Sequence, residues 1–210
     1  MKRPLGRVAV AVGAGTAAFG IAVVPASANP STVWTVSPSA AGFTAVNSGN
    51  ITMTFNIPVT CTASSASGTL TGGNGNPAKV GSVGAVTIGT ITSPCSTILG
   101  NITITATTPW SIVARDYDPS TGVTTGHVGD ISAKAVLGAC FFTVAGKASS
   151  SYDNSTGVLA VNSVPGELTV ASATNCGTLV TTSTRPTFKG DYLVKVKGTS
   201  TIPKITGSQP

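Results

Sequence analysis

The chain has 210 residues and a formal charge of +6, yet only 9% of its residues are charged while 41% are hydrophobic. That balance is too apolar for a disordered chain, and it lacks the basic clusters that neutralise phosphates, which excludes a nucleic-acid partner. The length suits one domain with its own core, or two small ones.

Residues 1–28 read MKRPLGRVAVAVGAGTAAFGIAVVPASA. Lys2, Arg3 and Arg7 make a positive start, residues 8–24 are apolar, and Ala26-Ser27-Ala28 supplies small residues at a cleavage site. This is the layout of a secretory signal peptide, and Lys2-Arg3 is not a twin-Arg pair, so ordinary secretion is expected. Cleavage after Ala28 takes the basic residues from 12 to nine against six acidic ones, a net +3 on residues 29–210. No later segment is apolar enough to span a membrane as a helix, and the C-terminal KITGSQP shows no sorting pattern. The expected product is secreted, extracellular or loosely associated with the cell wall.

Beyond the leader the apolar period is two almost everywhere. Ile51, Met53, Phe55, Ile57, Val59 and Cys61 alternate with Thr52, Thr54, Asn56, Pro58, Thr60 and Thr62. One face of that ribbon is apolar, and Pro58 makes it an edge strand or breaks it. TGGNGNP at residues 71–77 reads as a mobile loop. Ile102 and Ile104 alternate with Thr103 and Thr105, and Tyr192, Val194 and Val196 face away from Lys189, Asp191, Lys195 and Lys197. No stretch has a capped helical period. The pattern predicts an all-β domain over residues 29–210, a β-sandwich or Greek-key barrel of about a dozen short antiparallel strands. Its cysteine spacing also admits two remotely similar halves, about 29–115 and 116–210.

Two heptapeptides, YDPSTGV at residues 117–123 and YDNSTGV at residues 152–158, lie 35 residues apart. They do not follow the cysteine frame, so they read as one local solution used twice. Asp118 and Asp153 can accept from backbone N–H groups two residues on, and Gly122 and Gly157 supply positive φ before the return strand.

Four cysteines in an exported chain imply disulfides. Cys61–Cys95 and Cys140–Cys176 are the favoured pairs, because they enclose nearly equal spans in similar strand-like surroundings. A zinc or redox site would want closely spaced pairs such as Cys-x-x-Cys, which are absent.

Candidate chemistry is sparse. His127, the only histidine, lies three residues before Asp130 in a serine-rich chain, the sole hint of an esterase-like hydrolase. No Gly-x-Ser-x-Gly elbow supports it, and a lone histidine at a strand end is usually a surface or hydrogen-bonded residue. Asp116 and Asp118 resemble the start of a calcium loop, but Thr121 and His127 stand where glycine and glutamate are required. Trp34, Trp110, Tyr117 and Tyr152 are candidates for a ligand-stacking platform, against the alternative that such aromatics plug the core. No cofactor is expected.

The order of these features resembles a family of small exported, disulfide-containing β proteins from Streptomyces-like actinobacteria. The shared pattern is the leader, Trp34-Thr35-Val36, Cys-Thr-x-Ser with Ser-Gly at residues 61–68, Cys95 after an Ile/Thr strand, and Pro109-Trp110. Thr-Gly-Val-Thr-Thr-Gly at residues 121–126, Cys140, Asn-Ser-Thr-Gly at residues 154–157, Cys176 and Phe-x-Gly-x-Tyr at residues 188–192 complete it. The resemblance implies export and β architecture and carries no catalytic assignment. The expected function is a non-enzymatic extracellular or cell-surface protein with a binding or structural role toward a cell-envelope or extracellular ligand. The alternatives are a secreted hydrolase using His127 and a self-associating coat or adhesive protein.

Overall fold

The computed structural model describes residues 32–209, so the expected leader lies outside the described residues. After β1 (Val33–Ser37) the chain passes up and down eight times. The first pass is β2 (Gly42–Asn47) continued by β3 (Ile51–Thr54), and the second is β4 (Pro58–Cys61) with β5 (Ser64–Leu70). β6 (Gly73–Asn74) is a short excursion. The third pass is β7 (Ala78–Ile88) with β8 (Cys95–Thr97), and the fourth is β9 (Gly100–Ala106) with β10 (Trp110–Asp118). β11 (Val123–Leu137) and β12 (Cys140–Asp153) are the long fifth and sixth passes. β13 (Val158–Asn162) with β14 (Leu168–Thr174) makes the seventh, and β15 (Thr187–Val196) the eighth. β16 (Lys204–Ser208) pairs with β1, and β6 takes β1's other side, giving a separate three-stranded sheet.

Every pass pairs antiparallel with its predecessor, and the eighth returns to the first, where Tyr192 faces Asn47 and Phe188 faces Met53. The result is a closed up-and-down barrel. The expected all-β antiparallel class holds, and within it the pairings make a barrel with meander rather than Greek-key connections.

The barrel has two unlike halves. In the lower half, toward the heptapeptide turns, ladders close the whole ring through β15, β2, β5, β7, β10, β11, β12 and β13. The upper half uses β3, β4, β8, β9 and β14 with the upper parts of β11, β12 and β15. There the ring stays open between β14 and β15, and residues 175–186 make the connection. Both halves share one apolar interior, in which Phe55 and Phe142 meet edge to face at 5.0 Å. On β15 the inward Tyr192 and Val194 are buried while Lys189, Asp191 and Lys195 are exposed. The outer face mixes these charged side chains with exposed Leu193 and its cross-strand neighbour Val46. Among the described residues no helix is long and apolar enough to cross a membrane.

Two local expectations change. The single ribbon from Ile51 to Thr62 folds back on itself as a hairpin, with Ile51 opposite Cys61 and Met53 opposite Val59. Asn56 turns the corner at φ 69°, its side chain held by Leu179 O at 2.9 Å, and Pro58 opens the return strand. TGGNGNP is a docked segment instead of a free loop. Gly73 and Asn74 pair with Trp34 and Val33, Gly75 N donates to Thr32 O, and Gly75 O accepts from Trp34 Nε1 at 3.0 Å. A Cβ on Gly72 would stand 2.6 Å from Trp34 O, so glycine permits this approach.

The disulfides pair as the spacing suggested, Cys61–Cys95 and Cys140–Cys176. Each lies where a ladder ends. Cys61–Cys95 spans the excursion at residues 89–94 that separates β7 from β8, and Cys140–Cys176 holds the chain just past the end of β14.

Candidate functional site

The twin turns sit side by side at the lower end. In the first, Asp118 Oδ1 accepts from Ser120 N at 2.8 Å and Ser120 Oγ at 2.6 Å, Thr121 Oγ1 donates to Oδ2, and Gly122 N closes on Asp118 O with φ 72° at Gly122. In the second, Asp153 Oδ1 accepts from Ser155 N and Ser155 Oγ, each at 2.7 Å, and Gly157 N closes on Asp153 O with φ 73° at Gly157. The seven-residue signature is one turn built twice. Hydrogen bonds from Ser120 and Thr121 hold Asp118 below the usual carboxylate range, and those from Ser155 and Thr156 bring Asp153 down to about 2. The Asp118 oxygens are thus taken up within the turn. Asp116 accepts from Tyr117 N, and among the described residues no group of three metal-ligating side chains forms.

The two copies differ at their third residue. Pro119 is exposed, whereas Asn154 is buried. Asn154 Nδ2 donates to Gly122 O at 2.8 Å and Ile205 O at 2.9 Å, and its Oδ1 accepts from Ile205 N at 2.6 Å. Thr124 Oγ1 also donates to Ile205 O, and Tyr152 Oη to Pro203 O at 2.6 Å. These bonds dock the small sheet onto the end of the barrel.

The aromatic candidates do not gather into a platform. Trp34 is buried in the small sheet and Tyr152 in the barrel floor. Trp110 and Tyr117 are half-buried, and Trp110 Nε1 donates to Thr107 O at 2.9 Å.

His127 and Asp130 line an open polar groove on the outer wall with Lys79, Lys147 and Glu167. Asp130 has φ 55° at the bulge where β11 bends, between Val128 and Ile131. His127 lies across from Ser149 on β12. Glu167 was absent from the sequence candidates, yet it organises the groove. Its carboxylate accepts from Ser149 Oγ at 2.7 Å, Ser149 N at 2.9 Å and Val164 N at 3.1 Å. Burial pushes Glu167 up, but the Ser149 and Val164 bonds and Lys147 outweigh it and leave the carboxyl lowered. Burial, with Lys147 and Arg115 adding to it, holds His127 below its ordinary value against the pull of Glu167 and Asp130. That lowering favours the neutral imidazole. A Ser–His hydrolase needs the hydroxyl proton bonded to the imidazole, and here Ser149 gives it to Glu167.

The barrel interior is a second concave place among the described residues. It contains an apolar void of about 150 Å³, lined by residues from all eight passes. Small side chains leave it unfilled. Val194, Ala45, Ala66 and Val86 stand in one cross-strand row, so they share the inner face. Ala45 and Val194 are buried, while Ala66 and Val86 keep accessible surface. Ile112, opposite the buried Val128, does the same.

Compared with family models, with curated proteins and with solved structures, the chain finds no match in any of the three.

Proposed function

We propose that the protein is an exported, non-enzymatic barrel that works by binding outside the cytoplasm. The observation that carries the reading is the closed barrel itself, with an underfilled interior and two disulfides at the ends of its ladders. Disulfides of this kind are compatible with an oxidising compartment, and the sequence supplies the export signal. A rigid ring holding space inside it is a common ground plan for binding.

Two measurements test this. Fractionation of the producing cells should place an oxidised chain, free of its first 28 residues, in the medium or on the wall, and a reduced cytoplasmic chain would end the reading. The purified oxidised chain should show no turnover of p-nitrophenyl esters. The groove of His127 and Glu167, with Ser149 bonded to Glu167, gives the hydrolase alternative its one foothold. Turnover that His127→Ala abolishes would replace binding by catalysis.

Self-association is the other outcome that fractionation can return. Ring closure removes most strand edges, leaving those of β6, β14 and β16 among the described residues. Large assemblies released only by denaturant would make one of these the working surface.

A further inference from the structure

We infer that the barrel interior is a binding site for a small, uncharged molecule without hydrogen-bonding groups, about the size of one aromatic ring. The inference rests on the binding role proposed above and names its ligand class.

Three observations converge on it. The first is space. About 150 Å³ of void lies along the inner face, and an apolar cavity of this order stays dry and accepts a benzene-sized guest. The second is that the void cannot close by collapse. The ladders fix the circumference of the lower ring, and its inner row carries Ala45 and Ala66 where larger side chains would fill the middle. The third is chemistry. No buried side-chain nitrogen or oxygen among the described residues lacks a hydrogen-bond partner. Of the hydroxyls at the lining, Tyr192 Oη is held by Ser64 Oγ at 3.0 Å, Tyr152 Oη by Pro203 O and Thr124 Oγ1 by Ile205 O, while Ser150, paired with Val161 on the inner face, is a further hydroxyl at an otherwise apolar wall. A charged guest finds no counter-charge there, and a hydroxyl placed away from Ser150 is left without a partner, a penalty that selects for apolar guests.

The probe is benzene, with phenol as its hydroxylated counterpart, titrated into the full oxidised chain and followed by methyl NMR. Benzene should shift the methyl signals of Ala66, Val86 and Ile112 saturably, and phenol should bind at least tenfold more weakly. Ala66→Leu should fill the row and weaken benzene binding at least tenfold. Should that variant fail to fold, Val86→Ile serves the same purpose with one added methylene. No saturable shift up to the aqueous solubility of benzene would overturn the inference. So would phenol binding as tightly as benzene, or a folded filled variant that binds benzene unchanged. A negative result on a chain found outside the cell without turnover sinks the ligand class and leaves the binding role standing.

Discussion

The lower and upper halves of the barrel solve the same closure problem by different means. Below, eight antiparallel ladders complete the ring and no disulfide is present. Above, β3 and β4 have four residues each and β8 has three, the ring is open between β14 and β15, and both disulfides are found there. Where backbone hydrogen bonds run out, covalent bonds take over. Each closes a loop of 34 or 36 residues, which in the chain-entropy account stabilises the fold by about 3–4 kcal/mol.

The largest effect should come from removing that covalent support. Replacing Cys140 and Cys176 together by alanine should cost about 3–4 kcal/mol in denaturant unfolding, and the Cys61/Cys95 pair a similar amount. Hydrogen exchange should show where the loss falls, with amides of β3, β4, β8 and β14 losing protection before those of β2, β5 and β13. Equal loss in both halves would mean that the halves do not differ as described.

The twin turns sharpen the comparison within the lower half. Asn154→Ala strips Ile205 N, Ile205 O and Gly122 O of a buried partner and should cost about 2–3 kcal/mol. Pro119→Ala, at the matching exposed position, should stay within about 0.5 kcal/mol. Thermal unfolding of the two variants side by side reads the difference.

Acid should act on the turns next. An unfolded Asp titrates near 3.8, whereas Asp153 is held at about 2 and Asp118 is also lowered. The unfolded chain therefore binds more protons between those values. Stability from these carboxylates is complete above pH 3.8 and is lost as pH falls toward 2. The Asp118→Asn, Asp153→Asn double variant should flatten that slope in pH-dependent unfolding.

The smallest effect belongs to His127. Its lowered value means that its share of stability is present above pH 6.5 and declines as pH drops below it. His127→Gln should remove a shallow slope in that window and little else.

Much of this was legible in the sequence. Asp, Ser and Gly at fixed offsets announced the two turns, because the hydrogen bonds involved are local. The cysteine pairs were readable because they close spans of nearly equal length in similar strand settings. What escaped was information held between distant strands. The fold-back at Asn56 was hidden because the hairpin keeps parity, so Ile51, Met53, Val59 and Cys61 share a face whether the ribbon is straight or doubled. β6 was hidden because glycine marks both a loose loop and a backbone that must approach Trp34 closely. Glu167 meets Ser149 only once β14 and β12 are in register, and the void exists only because Ala45 and Ala66 fall in one row.

The up-and-down order has a consequence for assembly. Each pass pairs with the pass made just before it, so seven of the eight seams can zip locally as the chain emerges. The last seam is different. β2 must wait for β15, 149 positions later by the pairing of Ala45 with Val194. Until then the growing structure is an open, curled sheet showing its apolar face. A chain exported N-terminus first would hold that unfinished sheet outside the membrane until its final strand arrived, so the interval before ring closure is when it is most exposed to aggregation and to proteases.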